Sequence, residues 1–95
     1  MIVRISGTGQ FDVEEEGVRK LDSLDTEITQ AMHDRDEQRF HQLLRDIIEL
    51  VSTSGTPVAN DTVVPSDVIV PPDDITLDEA ERFFTDEGLM QPLPA

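Results

Sequence analysis

No cysteine occurs anywhere in the chain, which excludes disulfides, thiolate nucleophiles and zinc–thiolate centres. Trp and Tyr are also missing, and aromatics amount to four Phe, enough for one small core but not a deep one. Positive charge is scarce: six Arg and a single lysine, Lys20, stand against 21 Asp and Glu, for a net charge of -14. Polyphosphate and anionic lipid surfaces repel such a molecule, because carboxylates outnumber every basic contact it offers. Nucleic-acid binding and direct membrane binding are therefore not expected. No stretch approaches the ~18 apolar residues of a spanning helix. The apolar run in Met1-Ile2-Val3-Arg4-Ile5-Ser6-Gly7 is too short for a signal peptide. A cytoplasmic, soluble protein is the expectation.

What is present fits one domain, since 95 residues bury only about two-thirds of their unfolded surface and leave a marginally stable fold. The acidity is uneven. Residues 1–45 carry ten acids and six bases, whereas residues 46–95 carry eleven acids and only Arg82. Such a surface solubilises the protein, and its shortage of Lys is also what adaptation to a high-salt (halophilic) host produces.

Gly7-Thr8-Gly9 interrupts two β-prone runs and predicts a hairpin. With all three residues in the loop and Gly9 left-handed, Ser6 faces Gln10, Ile5 faces Phe11, Arg4 faces Asp12 and Val3 faces Val13. That register gathers Val3, Ile5, Phe11 and Val13 on one face, whereas a two-residue Gly7-Thr8 loop mixes the faces. From Glu14 the period changes to that of a helix: Val18, Leu21, Leu24 or Asp25, Ile28 and Met32 form one stripe. Glu14, Glu15 and Glu16 sit in its first turn, where carboxylates suit the dipole, and Gly17 weakens that start. His33-Asp34-Arg35-Asp36-Glu37 breaks the pattern, with Asp34 or Asp36 as cap of a second helix. That helix carries Phe40, Leu43, Leu44, Ile47, Ile48 and Val51 and stops near Gly55. Two such helices joined by a short link pack as an antiparallel hairpin.

Val68-Ile69-Val70 is β-prone but bracketed by Pro65, Pro71 and Pro72, which predicts a short edge strand added to the N-terminal hairpin. Ile75-Thr76-Leu77-Asp78-Glu79 has the hydrophobic residue, Thr cap and following Glu of a helix start. Leu77, Ala80, Phe83 and Phe84 supply that helix's apolar face, and Gly88 stops it. The expected architecture is α+β. A small, mostly antiparallel sheet (hairpin plus edge strand) packs on an antiparallel helical hairpin and is closed by a short C-terminal helix. Residues 1–90 form the domain, and 91–95 are a frayed Pro-rich tail.

Residue chemistry gives little sign of catalysis. His33 and His41 straddle the helix break without the convergent donors that a metal needs, and both are expected on the surface. The acidic pairs, such as Asp73/Asp74 and Asp86/Glu87, are what 21 acids produce by chance. Asp34-x-Asp36 lacks the Gly and distal Glu of a calcium loop, and Gly7-x-Gly9 lacks the rest of a phosphate loop. Arg35, Arg39 and Arg45 are interleaved with acids and read as a balanced face. The chain is expected to be no enzyme and to need no cofactor or metal.

In order and spacing, the chain resembles a known family. The opening Met1-Ile2-Val3-Arg4-Ile5 with Gly7-x-Gly9-Gln10-Phe11 carries the likeness. So do Gly55-Thr56-Pro57-Val58, Asp61 and Val64-Pro65-Ser66-Asp67-Val68-Ile69-Val70-Pro71-Pro72. The ending adds Thr76-Leu77-x-Glu79 and Asp86-Glu87-Gly88-Leu89. Together these are similar to the PspA-associated domain, although Thr8 stands where that family usually has an acidic residue. The resemblance implies an archaeal or actinobacterial accessory of phage-shock protein A, a helical membrane-remodelling protein that answers envelope stress. It brings no catalytic or cofactor residue.

An acidic module without a basic membrane-binding face is expected to act on the membrane through a protein partner, recruiting or restraining PspA-like helices. Two surfaces suit that role: the open edge of Val68-Ile69-Val70, by strand addition, or an apolar strip of the helical hairpin. Gln10, Phe11, Pro65, Asp67 and Leu89 are the expected exposed positions near the edge, with Val68 in the strand itself. A rival reading is an acidic decoy that occupies a basic or nucleic-acid-binding protein, and it predicts steep loss of binding with salt.

Overall fold

The computed structural model describes residues 1–59 and 64–81. Two strands, β1 (Ile2–Ile5) and β2 (Gly9–Asp12), are followed by two helices, α1 (Glu15–His33) and α2 (Glu37–Ser54). A two-residue strand β3 (Thr56–Pro57), the strand β4 (Val68–Val70) and the short helix α3 (Leu77–Ala80) complete the order. Phe83, Phe84 and Gly88 lie outside the described residues, as does the proposed 90/91 boundary.

The sheet is mixed, in the order β3-β2-β1-β4. β1–β2 and β2–β3 are antiparallel, and β1–β4 is parallel. The expected α+β arrangement and the placement of Val68–Val70 beside the hairpin are therefore present. The β3 strand was not expected from sequence, because Pro57 argues against a strand except at an edge.

The hairpin register differs from the expected one by two residues. Val3 faces Phe11, Arg4 faces Gln10 and Ile5 faces Gly9, so the loop is Ser6-Gly7-Thr8. Thr8 N–H donates to the Ile5 carbonyl at 2.9 Å, closing a turn whose third residue, Gly7, has φ 82°. A type II turn requires positive φ at that position. The register also brings the Met1 ammonium within 3.5 Å of Asp12 and lets it donate to the Val13 carbonyl. A shift of two leaves every side chain on its expected face, so Val3, Ile5 and Val13 are still buried. The consequence falls on Arg4, which loses Asp12 as a neighbour and gains Gln10.

Helix α1 buries Gly17, Leu21, Asp25, Ile28, Ala31 and Met32, with Val18 and Leu24 half-buried beside them. Gly17 is a close-approach residue: a Cβ there would lie 2.6 Å from Val13 Cγ1. Asp25 is 3% exposed, yet no buried side-chain nitrogen or oxygen among the described residues lacks a hydrogen-bond partner. Helix α1 ends in a Schellman arrangement: Asp36 N–H reaches the Ala31 carbonyl at 3.0 Å and Arg35 N–H the Met32 carbonyl at 3.1 Å. Arg35 takes the left-handed position with φ 56°, where glycine is usual. Asp36 caps α2 through the Arg39 N–H at 3.2 Å. The start of α1 and the end of α2 meet again at Gly17 and Ser54, which makes the helical pair antiparallel. Phe40, Leu44, Ile47 and Val51 of α2 join Val3, Ile5, Val68 and Val70 of the sheet in one core.

A candidate protein-interaction edge

β3 and β4 lie on opposite edges of the sheet, and residues 64–67 cross from Gln10 on β2 to Ile2 on β1. Gln10 holds that crossing, its amide donating to the Val64 carbonyl at 3.0 Å and to Ser66 Oγ at 2.8 Å. Asp67 completes it: its backbone N–H donates to the Ile2 carbonyl and its Oδ2 accepts from the Ile2 N–H, both at 2.8 Å. These bonds align β4 against β1, with Val3 opposite Val68, Arg4 opposite Ile69 and Ile5 opposite Val70.

Among the described residues β4 is an edge of the sheet. Ser6 N–H bonds the Val70 carbonyl, so Val70 faces β1. Alternate residues of a parallel ladder face opposite sides, and the N–H and C=O of Ile69 therefore point away from β1 toward the open side. The side chains alternate as well: Val68 is 4% exposed and Ile69 48%. Among the described residues only Met1 and Ile69 are large exposed hydrophobics. The other edge is blunted, since β3 has two residues and one is Pro57.

The expected site residues divide accordingly. Pro65 and Asp67 are exposed near β4, but the Asp67 carboxylate is engaged with β1. Gln10 is half-buried as the anchor of the crossing, and Phe11 is half-buried against the core. Neither is the exposed position the sequence suggested, because the crossing segment and Gly55 lie over them; a Cβ on Gly55 would come 2.8 Å from Phe11 Cβ. Val68 points into the core. Leu89 lies outside the described residues. Ile69 of β4 and its neighbour Arg4 of β1, not among the expected site residues, are the side chains presented to solvent on this part of the sheet. The signal for Ile69 was available in the alternation of Val68-Ile69-Val70, whose middle residue must face opposite to its buried neighbours.

Away from the edge, Arg35 reaches α3 with one nitrogen 3.0 Å from Asp78 Oδ1 and another 3.0 Å from Glu81 Oε1. The bond to Asp78, its charge and that of Glu81 hold the guanidinium above its ordinary range. His41 is not the plain surface residue expected. It is half-buried, with Nδ1 3.0 Å from the Glu37 carbonyl and Nε2 2.7 Å from the Ile75 carbonyl. It ties α2 to the segment leading into α3. Among the described residues no three His, Asp or Glu side chains are grouped to hold a metal, and no helix is long and apolar enough to cross a membrane.

The sequence model of the family described as PspA-associated protein matches residues 1–92. The chain belongs to the PspA-associated protein family. That membership assigns it an accessory role linked to PspA. The same comparison returns no match among curated proteins and none among solved structures.

Proposed function

We propose that this PspA-associated protein is a non-catalytic adaptor that engages an extended segment of a PspA-type protein at the open edge of β4, and acts on the membrane only through that partner. The observation that carries this reading is the combination at Ile69: a half-exposed aliphatic side chain on an edge strand, with its backbone donor and acceptor facing outward. Strand addition uses those groups, main-chain bonds giving affinity and alternate side chains giving specificity. The apolar strip on the helical hairpin is the weaker candidate, because Val18, Leu24, Ile48 and Leu50 pack against the core.

Among the described residues a cavity lined by Glu14, Glu16, Gly17, Lys20 and Ser54 measures about 180 Å³, below the roughly 300–1,000 Å³ of small-molecule sites. The reading is tested by co-purification with a PspA homologue, using Ile69→Pro. That substitution removes the outward N–H without touching the bonds to β1, and proline is tolerated at such a position. Capture by the wild type and loss with Ile69→Pro, at an unchanged circular dichroism spectrum, is the expected pair of results. Equal capture of both proteins would remove strand addition as the mode of binding.

A further inference from the structure

Beside this edge, Arg4 is a cation that forms no ion pair among the described residues. It is exposed on the central strand β1, and the observed register gives it Gln10 on one side and Ile69 on the other. Gln10 is occupied by the crossing segment, and Asp12, the nearest acid on β2, lies by the Met1 ammonium. Lys20, Arg19, Arg35 and Arg39 each lie within 4.0 Å of a carboxylate, and Arg45, which like Arg4 has no ion pair among the described residues, donates to the His41 carbonyl at 3.4 Å on α2. Among the described residues Arg4 forms no ion pair. In a chain of net charge -14, a cation without an ion pair beside Ile69, among the described residues the more exposed of the two large exposed hydrophobics, is a local reversal of the surface.

Resting on the strand-addition reading above, we infer that Arg4 selects the incoming strand by a carboxylate: the partner segment carries Asp or Glu on the face it shares with Arg4 and Ile69, across from Ile69. A strand added to β4 lies two inter-strand spacings from β1, about 9.6 Å away. An extended guanidinium side chain and a glutamate can close that gap together over the Ile69 side chain. Partial cover by Ile69 shields the pair from water, which favours it over a fully solvated ion pair. Elsewhere on the surface a partner's carboxylates meet mostly like charge, so the acid sets register and orientation more than bulk affinity. The recognised chemistry is an extended, acidic–apolar polypeptide segment.

The experiment measures binding of a purified PspA-family protein from the same organism, by titration calorimetry at two ionic strengths, to the full chain and to Arg4→Gln, Arg4→Glu, Arg4→Lys and Ile69→Pro. Loss of an interfacial ion pair predicts about a two- to fivefold weakening for Arg4→Gln. Arg4→Glu, which juxtaposes like charges, should weaken binding by about tenfold or more at low salt. Arg4→Lys should retain most of the affinity, and the wild-type advantage over Arg4→Gln should shrink as salt rises. Arg4 is exposed, so each variant should show the wild-type melting profile; if Arg4→Glu does not, Arg4→Gln decides. Wild-type affinity in Arg4→Gln and Arg4→Glu, with loss in Ile69→Pro, would overturn the carboxylate reading and leave strand addition standing. Wild-type affinity in Ile69→Pro as well would remove both.

Discussion

At the scale of single residues, two positions separate intrinsic preference from context. Gly17 lies inside α1, where alanine would ordinarily add about 1 kcal/mol of helix stability. Here the new Cβ would sit 2.6 Å from Val13 Cγ1, and Val13 is a stiff, buried side chain. Overpacking of that kind costs about 1–3 kcal/mol, so it outweighs the propensity. Gly17→Ala should lower stability in urea denaturation by up to about 2 kcal/mol, and a rise would show that Val13 can move aside. Arg35 is the opposite case. A non-glycine residue at φ 56° costs about 1–2 kcal/mol, against two exposed ion pairs weakened by solvent screening. Arg35→Gly should therefore be close to neutral in dilute buffer. In molar KCl, with the pairs to Asp78 and Glu81 screened, it should be more stable than wild type. The raised affinity of Arg35 for its proton gives stability that is full below its unfolded range and lost only as pH climbs through the higher folded range. Near-neutral pH therefore leaves this contact unchanged.

Among elements, those with a local signature were legible in the sequence. The stripes of α1 and α2, the Asp36 cap and the Thr76 cap of α3, which accepts from the Glu79 N–H at 3.2 Å, all follow from short-range spacing. The β4 strand was legible too, from its β-branched run and flanking prolines. The hairpin faces were right and the register was not, because alternation fixes which face a residue takes but is blind to a shift of two. The turn at Gly7 and the Met1–Asp12 contact decided it. The roles of Gln10 and Asp67 were not legible, since both depend on a crossing segment more than 50 residues away in sequence from the strands it meets. The β4 strand yields a paired prediction. Val68→Asp buries a carboxylate in the core and should destabilise by at least about 3 kcal/mol, visible as loss of the cooperative thermal transition. Ile69→Asp should fold within about 1 kcal/mol of wild type. Similar losses in both would mean that Ile69 is covered in solution.

For the whole molecule, the excess of carboxylates opposes compaction by self-repulsion. Screening that self-repulsion should raise Tm markedly between dilute buffer and molar KCl, followed by differential scanning calorimetry. A flat response would show that the carboxylates are too dispersed to strain the fold. On the proposal made above, the neighbourhood of Ile69 and Arg4, where among the described residues a cation without an ion pair flanks the edge strand, is where another polypeptide approaches. The most direct measurement of that claim is backbone hydrogen–deuterium exchange at the Ile69 amide, with and without a PspA-family protein. Facing outward from an edge strand, this amide should exchange fast in the free protein and become protected in the complex. A complex that forms while Ile69 keeps its free exchange rate, with protection confined to the exposed faces of α1 and α2, would contradict the account.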